Sequence, residues 1–279
     1  MSADRSNLPI VEFTSVAPLF PDFGEAWRYR WMAIALARRN IMTRYTQTFL
    51  GPGWFIIQPI MLTGVLTLVM GAILNAPSDG LPYLLFVGSG TVLWTTFNRS
   101  LTEISTSLVV AGPIFSKVYF PRLLVPVSAL MTAAVDFAPV YALIIIAVFA
   151  YGMFAGWVIL LFPVFIVLTL LLTFGIGLWL TVLDSYFRDV RLTVPFVLQF
   201  VFYFSPIIYA SSAIPERWRF LFKANPLTGL LDGFRWTLIA GAPAPTMFEI
   251  LWAVGLTVVM LVGGLVVFAR FERVIVDRI

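Results

Sequence analysis

The sequence predicts an all-α polytopic membrane protein with six transmembrane helices, and two observations lead to this class. First, 60% of the 279 residues are hydrophobic and 11% are charged, and the mean hydropathy is +0.95, as is typical of membrane proteins. Second, the chain contains six apolar runs of about 20 residues, the length that crosses a bilayer core. We place these spans near residues 54–74, 81–101, 123–150, 157–183, 192–210 and 250–269.

The distribution of Lys and Arg predicts which side of the membrane each loop faces. Fourteen of the 18 basic residues lie in the N-terminal segment, at the end of the second span, in loops 110–122 and 184–191, or in the C-terminal tail. Loops 75–80 and 151–156 contain none. By the positive-inside rule, both termini are therefore expected in the cytoplasm.

The residue types that are missing restrict the chemistry. The chain has no Cys and no His, which excludes disulfides, thiolate chemistry and a Ser-His-Asp triad, and removes the commonest metal ligand. Its two lysines, Lys117 and Lys223, do not follow glycine, so the chain carries no phosphate-binding loop. We expect no catalytic residue, metal site or nucleic-acid partner, and any ATPase must be a separate chain.

The N-terminal part divides into two segments. Residues 1–21 are polar, lack the apolar region of a cleavable signal, and are expected to form a disordered extension. Residues 22–45 are predicted to form an amphipathic helix on the cytoplasmic membrane surface; a plain solvated helix is the alternative. Its candidate interface residues are Trp27, Trp31, Arg38, Arg39 and Arg44. Residues 46–279 then form the six-span domain, which the chain enters through the bend Gly51-Pro52-Gly53.

The charges at membrane depth are expected to be paired. Asp136 is the one charged residue in the apolar run 123–150, where a lone carboxylate costs several kcal/mol. A buried structural hydrogen bond is the favoured interpretation, and a role in transport or proton relay is the alternative. Arg99 and Glu103, four residues apart, are predicted to pair with each other. Asp184 is predicted to pair with Arg188 in the same way.

Loop 110–122 is a candidate contact for another protein. Gly112-Pro113 is predicted to stop one helix and Phe120-Pro121 to start the next, leaving about one and a half helical turns between them. Apolar side chains exposed on this turn would need a partner to cover them, although a turn against lipid headgroups is the alternative. The candidate contact residues are Ile114, Phe115, Lys117, Tyr119 and Arg122.

Residues 211–249 break the pattern of the outer loops. The segment should face outward, yet it contains four basic residues and many large apolar ones. Asn225-Pro226 is predicted to divide it into two short helices, and Gly241 to end the second. Two half-helices that dip in from the outer face suit this composition. Backbone at that depth must be buried in protein or line a wet cavity.

The order of several motifs resembles that of the membrane subunits of bacterial polysaccharide ABC exporters, the family that exports O-antigen, capsule and teichoic acid. The entry motif runs from Arg44 to Trp54 and is followed by Gln58-Pro59. The run 117–122, Lys-Val-Tyr-Phe-Pro-Arg, is similar to the coupling-helix region of this family. The series 204–209, 214–218, 225–227 and 233–236 looks like its fifth span and periplasmic gate helices.

The resemblance covers about residues 20–279 and implies a function. It implies a transport subunit that is not an enzyme and that moves a lipid-linked polysaccharide outward across the bacterial inner membrane. It also implies a homodimer with two copies of a separate P-loop ATPase, which would hold the ATP and Mg²⁺. The gate residues would include Trp218, Asn225, Pro226 and Arg235. A permease for drugs or small hydrophobic molecules, and an integral-membrane glycan or lipid transferase, are the alternatives.

One face of the fifth span is a candidate translocation path. Phe196, Phe200 and Tyr203 recur at helical spacings of four and three residues, with Phe204 beside them. Aromatic rings stack against sugar C–H groups without fixing a register, whereas buried charges would bind too tightly or cost too much. The alternative is that these rings face lipid or pack between helices.

Overall fold

The computed structural model describes residues 19–46, 49–115 and 119–275, and most of this part of the chain is helical. A π-helix, Thr67–Ile73, continues the third α-helix, and short 3₁₀ turns lie at Gly156–Leu161 and Ser211–Ala213. The predicted all-α class is confirmed for these residues. Their α-helices, in chain order, are α1 (Phe23–Arg28), α2 (Arg30–Tyr45), α3 (Gly53–Leu66), α4 (Tyr83–Phe115), α5 (Leu124–Ala150), α6 (Phe162–Tyr186), α7 (Val190–Tyr203), α8 (Glu216–Ala224), α9 (Pro226–Leu238) and α10 (Met247–Ile275).

The 33-residue helix α4 is the centre of the fold and packs against α3, α5, α6, α7 and α9. Its side chains Leu85, Leu93, Ile104 and Leu108 are completely or almost completely buried and hold the surrounding helices together. Most of its buried hydroxyl groups donate to carbonyls of the preceding turn, as Thr96 does to Val92 at 2.9 Å. Such internal hydrogen bonds let polar residues lie away from water.

Small residues bring α6 and α10 into backbone contact. A Cβ atom on Gly175 would lie 2.5 Å from the backbone nitrogen of Leu261, and one on Gly264 would lie 2.5 Å from the carbonyl oxygen of Gly175. Because nothing larger than hydrogen fits at these positions, the two helices approach closely along this seam. The seam fixes α10, whose two ends contact the loop before α5 and the candidate gate described below.

Within the described part of the chain, four helical segments are long and apolar enough to cross a membrane: Gly53–Ile73, Leu124–Ala150, Gly156–Tyr186 and Met247–Glu272. They match the first, third, fourth and sixth predicted spans. Helix α4 is long enough, at about 1.5 Å per residue, but it carries Arg99 and Glu103 and many hydroxyl groups. Helix α7 has 14 residues and reaches only about 21 Å.

Three predicted boundaries were wrong. Helix α7 ends at Tyr203 rather than 210, because Pro206 cannot donate in a helix and disfavours helical geometry in the residue before it. Helix α4 continues past Gly112-Pro113 to Phe115, since a proline in the last turn removes a single hydrogen bond. The predicted surface helix 22–45 is two helices, α1 and α2, that meet at Tyr29.

Candidate functional site

Four charged side chains join the entry segment to the helical core. Asp136 on α5 accepts a hydrogen bond from the guanidinium of Arg44 and another, at 2.6 Å, from the hydroxyl of Tyr45. The second guanidinium nitrogen of Arg44 lies 2.8 Å from a carboxylate oxygen of Glu103 on α4. Glu103 also binds Arg99 at 3.2 Å, which confirms the predicted pair. We call Arg44, Arg99, Glu103 and Asp136 the ionic cluster; its two positive and two negative charges cancel.

The ring of Phe55, at the start of α3, lies against the ionic cluster. The guanidinium carbon of Arg99 lies 3.9 Å from the centre of this ring, and that of Arg44 lies 5.5 Å from it. Tyr45 and Phe137 contact the same ring edge-on, at 5.8 and 6.0 Å between centroids. Cation–π contacts strengthen where water is excluded, so Phe55 stabilises both arginines in place.

Arg44 and Tyr45, the two donors to Asp136, have pKa values that their surroundings raise. The Asp136 side chain that they bind is 2% exposed. Burial raises the pKa of the Tyr45 hydroxyl, and its hydrogen bond to the Asp136 carboxylate raises it further. Burial alone would lower the pKa of Arg44, but the carboxylates of Glu103 and Asp136 outweigh burial and raise it. Both groups therefore remain donors at physiological pH. This geometry favours a structural hydrogen bond at Asp136 over a proton relay.

Arg44, at the end of α2, faces the protein and not the membrane surface that was predicted for it. Arg44 was predicted to contact the headgroup layer, but it points into the ionic cluster because Asp136 and Glu103 need a cation. Ala33, Leu36 and Ala37 are the residues that α2 buries. The other candidate interface residues, Trp27, Trp31, Arg38 and Arg39, lie on exposed parts of α1 and α2.

The candidate coupling loop differs from its prediction. Ile114 and Phe115 belong to the end of α4 and are half-buried, because the ring of Phe115 packs 5.5 Å from that of Phe120. The expectation that both are exposed on a separate short helix is therefore wrong. Tyr119 is 73% exposed, and Lys117 lies outside the described residues. Among the described residues of this loop, Tyr119 is therefore the exposed candidate for contact with a partner.

The end of the last helix holds the coupling loop. The backbone N–H of Arg122 donates to the carboxylate of Glu272 at 3.1 Å, and its guanidinium donates to the backbone carbonyl of Glu272. Arg122 therefore fastens the loop before α5 to α10. Sequence reasoning placed Arg122 in a contact with a partner protein, and its bonds within the chain had no signal in the local pattern.

The candidate gate consists of α8 and α9, and the predicted division at Asn225-Pro226 is confirmed. The Asn225 side chain accepts from the backbone N–H of Leu227 and donates to the hydroxyl of Ser205 at 2.9 Å. Pro226 occupies the first position of α9, where its missing N–H costs nothing. The break is thus tied to the turn that follows α7. Helix α8 has no fully buried residue, and Trp218 on it is 47% exposed.

Helix α9 is mostly buried in protein, and Arg235 connects it to the neighbouring segments by hydrogen bonds. The Arg235 guanidinium donates to the carbonyls of Pro206 at 2.6 Å and Ile207 at 3.1 Å, and to that of Phe86 at 3.3 Å. It also lies 3.5 Å from Asp232 and 3.8 Å above the Phe86 ring. One side chain therefore joins α9 to α4 and satisfies the carbonyls that the end of α7 leaves free.

The predicted partner of Asp184 was wrong, and the space that Gly90 leaves for Arg235 was not predicted. Asp184 binds Arg191 at 2.8 and 3.1 Å rather than Arg188, because the chain turns after α6 and begins α7 before Arg191. A Cβ on Gly90 would lie 2.7 Å from a guanidinium nitrogen of Arg235, so Gly90 provides the space for that side chain. The sequence signal for this space is the small-residue run Gly88-Ser89-Gly90 inside an apolar segment.

The four path candidates lie together on the exposed side of α7. Phe196, Phe200, Tyr203 and Phe204 are 61, 51, 56 and 49% exposed. The rings of Phe196 and Phe200 are 4.9 Å apart in an edge-on arrangement. The opposite side of α7 buries Val194 and Leu198. The structure therefore presents the aromatic face outward from a single chain.

Replacing Arg235 with Lys tests whether its forked geometry holds the gate. Lys retains the charge but offers one nitrogen, so it cannot reach Pro206, Ile207 and Phe86 together. We expect Arg235→Lys to destabilise the detergent-solubilised protein by at least about 2 kcal/mol, because hydrogen bonds from a charged donor are lost. Arg217→Lys on the exposed surface of α8 is the matched control and should leave thermal unfolding unchanged. Equal stability of the two variants would contradict this role.

Comparison with known proteins agrees with this architecture. Residues 33–239 match the family described as ABC-2 type transporter. Two proteins of Klebsiella pneumoniae named O-antigen export system permease protein RfbA are 25% and 26% identical over 243 and 245 residues, each covering 86% of this chain and 92% of the relative. A protein of the same name from Myxococcus xanthus is 28% identical over 213 residues, 76% of this chain and 81% of the relative. The chain therefore belongs to the ABC-2 type transporter family of membrane proteins.

Proposed function

We propose that this chain is the transmembrane subunit of an ABC exporter that moves a lipid-linked polysaccharide outward across the bacterial inner membrane. The observation that carries the proposal is the family match over residues 33–239, together with relatives that are named O-antigen export permeases. Two copies of this chain would form the channel. Two copies of a separate ATPase would bind ATP and Mg²⁺ and drive transport, so this chain would catalyse no reaction itself.

The proposed topology has six spans with both termini in the cytoplasm. The four apolar helices supply four of them. Helix α4 would be the second span, since its charges are paired in the ionic cluster and its hydroxyls bond to their own helix. Helix α7 and the turn up to Tyr209 would be the fifth span, with Arg235 satisfying carbonyls that a bilayer could not. Helices α8 and α9 would then form a re-entrant gate on the periplasmic side.

The proposed point of coupling to the ATPase is the exposed surface around Tyr119. Force applied there would reach α10 through the bonds between Arg122 and Glu272. At its other end α10 contacts the gate, because Lys223 lies 3.2 Å from Glu249 and Trp252 donates to the carbonyl of Ala224 at 3.1 Å. A single helix would thus join the coupling loop to the gate.

Deletion of the gene, followed by analysis of the cell surface, tests the proposed function. We expect the surface polysaccharide to disappear and lipid-linked glycan to accumulate inside the cell, because the glycan is made but has no exit. Glycan on the two sides of the membrane can be separated by fractionation and measured by staining after electrophoresis. An unchanged surface polysaccharide together with increased drug sensitivity would instead indicate a drug exporter. Conversion of a glycan donor by the purified chain would indicate a transferase.

Replacing the three aromatic rings of α7 tests the proposed path. Phe196, Phe200 and Tyr203 changed together to Leu keep the helix apolar but remove the stacking surfaces. We expect export of long chains to fall while expression and ATPase binding persist. Val135 and Ile146, exposed on the apolar side of α5 at 59 and 61%, provide a control when changed to Leu. Normal export of long chains by the triple variant would rule out this face.

A further inference from the structure

Helix α4 presents a polar stripe at membrane depth. Between residues 91 and 108, the positions that are not buried carry only polar side chains. They recur at spacings of three and four and therefore share one face of the helix. The stripe consists of Thr95, Asn98, Arg99, Thr102, Glu103 and Thr106.

The stripe contrasts with the neighbouring spans. The exposed side chains in the middle of α5 are apolar, as Val135 and Ile146 illustrate, and those of α10 include Val258 and Val259. Apolar faces of this kind suit lipid. Polar side chains at membrane depth face the interior of a bundle or a water-filled cavity, since lipid cannot satisfy them. The polar stripe therefore does not suit contact with lipid tails.

A cavity of about 310 Å³ opens between this stripe and the start of α3. Its polar lining comes from Gln58, Thr95, Asn98, Arg99 and Thr102, and its apolar lining includes Phe55. A second cavity of about 410 Å³ follows along α4, lined in part by Glu103 and Thr106 and by Asn40 and Thr43 of α2. The polar surface thus continues from the ionic cluster in both directions.

The hydrogen-bonding groups of the first cavity are only partly used. Within the described residues the Asn98 side-chain amide has no hydrogen-bond partner, and Gln58 accepts a single long bond of 3.5 Å from Arg99. The hydroxyls of Thr95 and Thr102 donate to carbonyls of their own helix at 2.7 and 2.9 Å. Their oxygen lone pairs remain able to accept. The cavity therefore offers two amides that can donate and accept, hydroxyl acceptors, and an aromatic ring.

The charge balance selects among possible occupants. Arg99 is the charged residue of this cavity, and it is already paired with Glu103 in a cluster whose charges cancel. A phosphate would have to compete with that carboxylate for the guanidinium. A neutral polyol would use the Asn98 amide, the NH2 group of Gln58 and the Phe55 ring without disturbing the pair.

We propose that the polar stripe of α4, together with Gln58, binds neutral sugar units of the transported glycan and lines a hydrated part of its path. The inference rests on the proposed function and extends it: the path would have a hydrogen-bonding wall on α4 in addition to the aromatic face of α7. Asn98 and Gln58 would bond to sugar hydroxyls, and the ring of Phe55 would contact sugar C–H groups. Because each contact is weak, successive sugars could move past the site.

Single cysteines can test this inference directly, because the natural chain contains none. Thr102→Cys and Asn98→Cys would be treated with a charged, membrane-impermeant methanethiosulfonate in inverted membrane vesicles. The matched control is Val135→Cys, which is more exposed in the single chain but lies on an apolar face. Each variant would be examined in vesicles from cells that make the glycan and from cells that lack its glycosyltransferases.

We expect the two stripe cysteines to react severalfold faster than the control, and the glycan to slow their reaction severalfold. Reaction at the same slow rate as Val135→Cys would overturn the inference, since the stripe would then face lipid or a partner helix. Fast reaction without protection by glycan would overturn the sugar site. Protection by inorganic phosphate in vesicles without glycan would assign an anion site instead. An unchanged surface polysaccharide in the deletion strain would refute the proposed function independently of these labelling results.

Discussion

The ion pair between Arg44 and Asp136 is the contact on which the arrangement of this molecule depends. A carboxylate inside an apolar span is unstable alone, and its partner comes from 92 residues earlier in the chain. Satisfying Asp136 therefore requires the end of α2 to lie against α5, and Glu103 then brings α4 to the same point. Phe55 closes the group from α3. One electrostatic requirement thus positions α2 and three of the helices around it, α3, α4 and α5.

At the candidate gate, too, an arginine satisfies oxygen acceptors that would otherwise lack a partner. The turn after α7 leaves backbone carbonyls without helical partners, and Arg235 satisfies them from α9. Asn225 performs a similar task at the start of that helix by bonding to Ser205. The junction of α8 and α9 is stable because protein groups, rather than water, complete its hydrogen bonds. Helix α10 links this region to the candidate coupling loop, since its ends contact Lys223 and Arg122.

Much of the helical framework was predictable because apolar runs and proline positions act locally. The span 123–150 and the break at Asn225-Pro226 agree closely with α5 and with the junction of α8 and α9. The pairing of Arg99 with Glu103 followed from helical spacing. Partners distant in sequence gave no such signal: the binding of Arg44 to Asp136 and of Arg122 to Glu272 depends on packing. Pro206 is a local signal for the end of α7, but the binding of the Pro206 and Ile207 carbonyls by the distant Arg235 also depends on packing.

Arg44 and Asp136 stabilise the fold as a pair, and a double-mutant cycle measures the coupling between them. The unfolding free energy would be determined by SDS titration in mixed micelles for Arg44→Met, Asp136→Leu and the double variant. We predict that Arg44→Met costs about 3 kcal/mol or more, because it leaves a buried carboxylate without its cation. Asp136→Leu should cost less, since Arg44 keeps Glu103. The double variant, in which Glu103 retains Arg99, should be more stable than the sum of the two losses implies. Strictly additive losses would contradict the account.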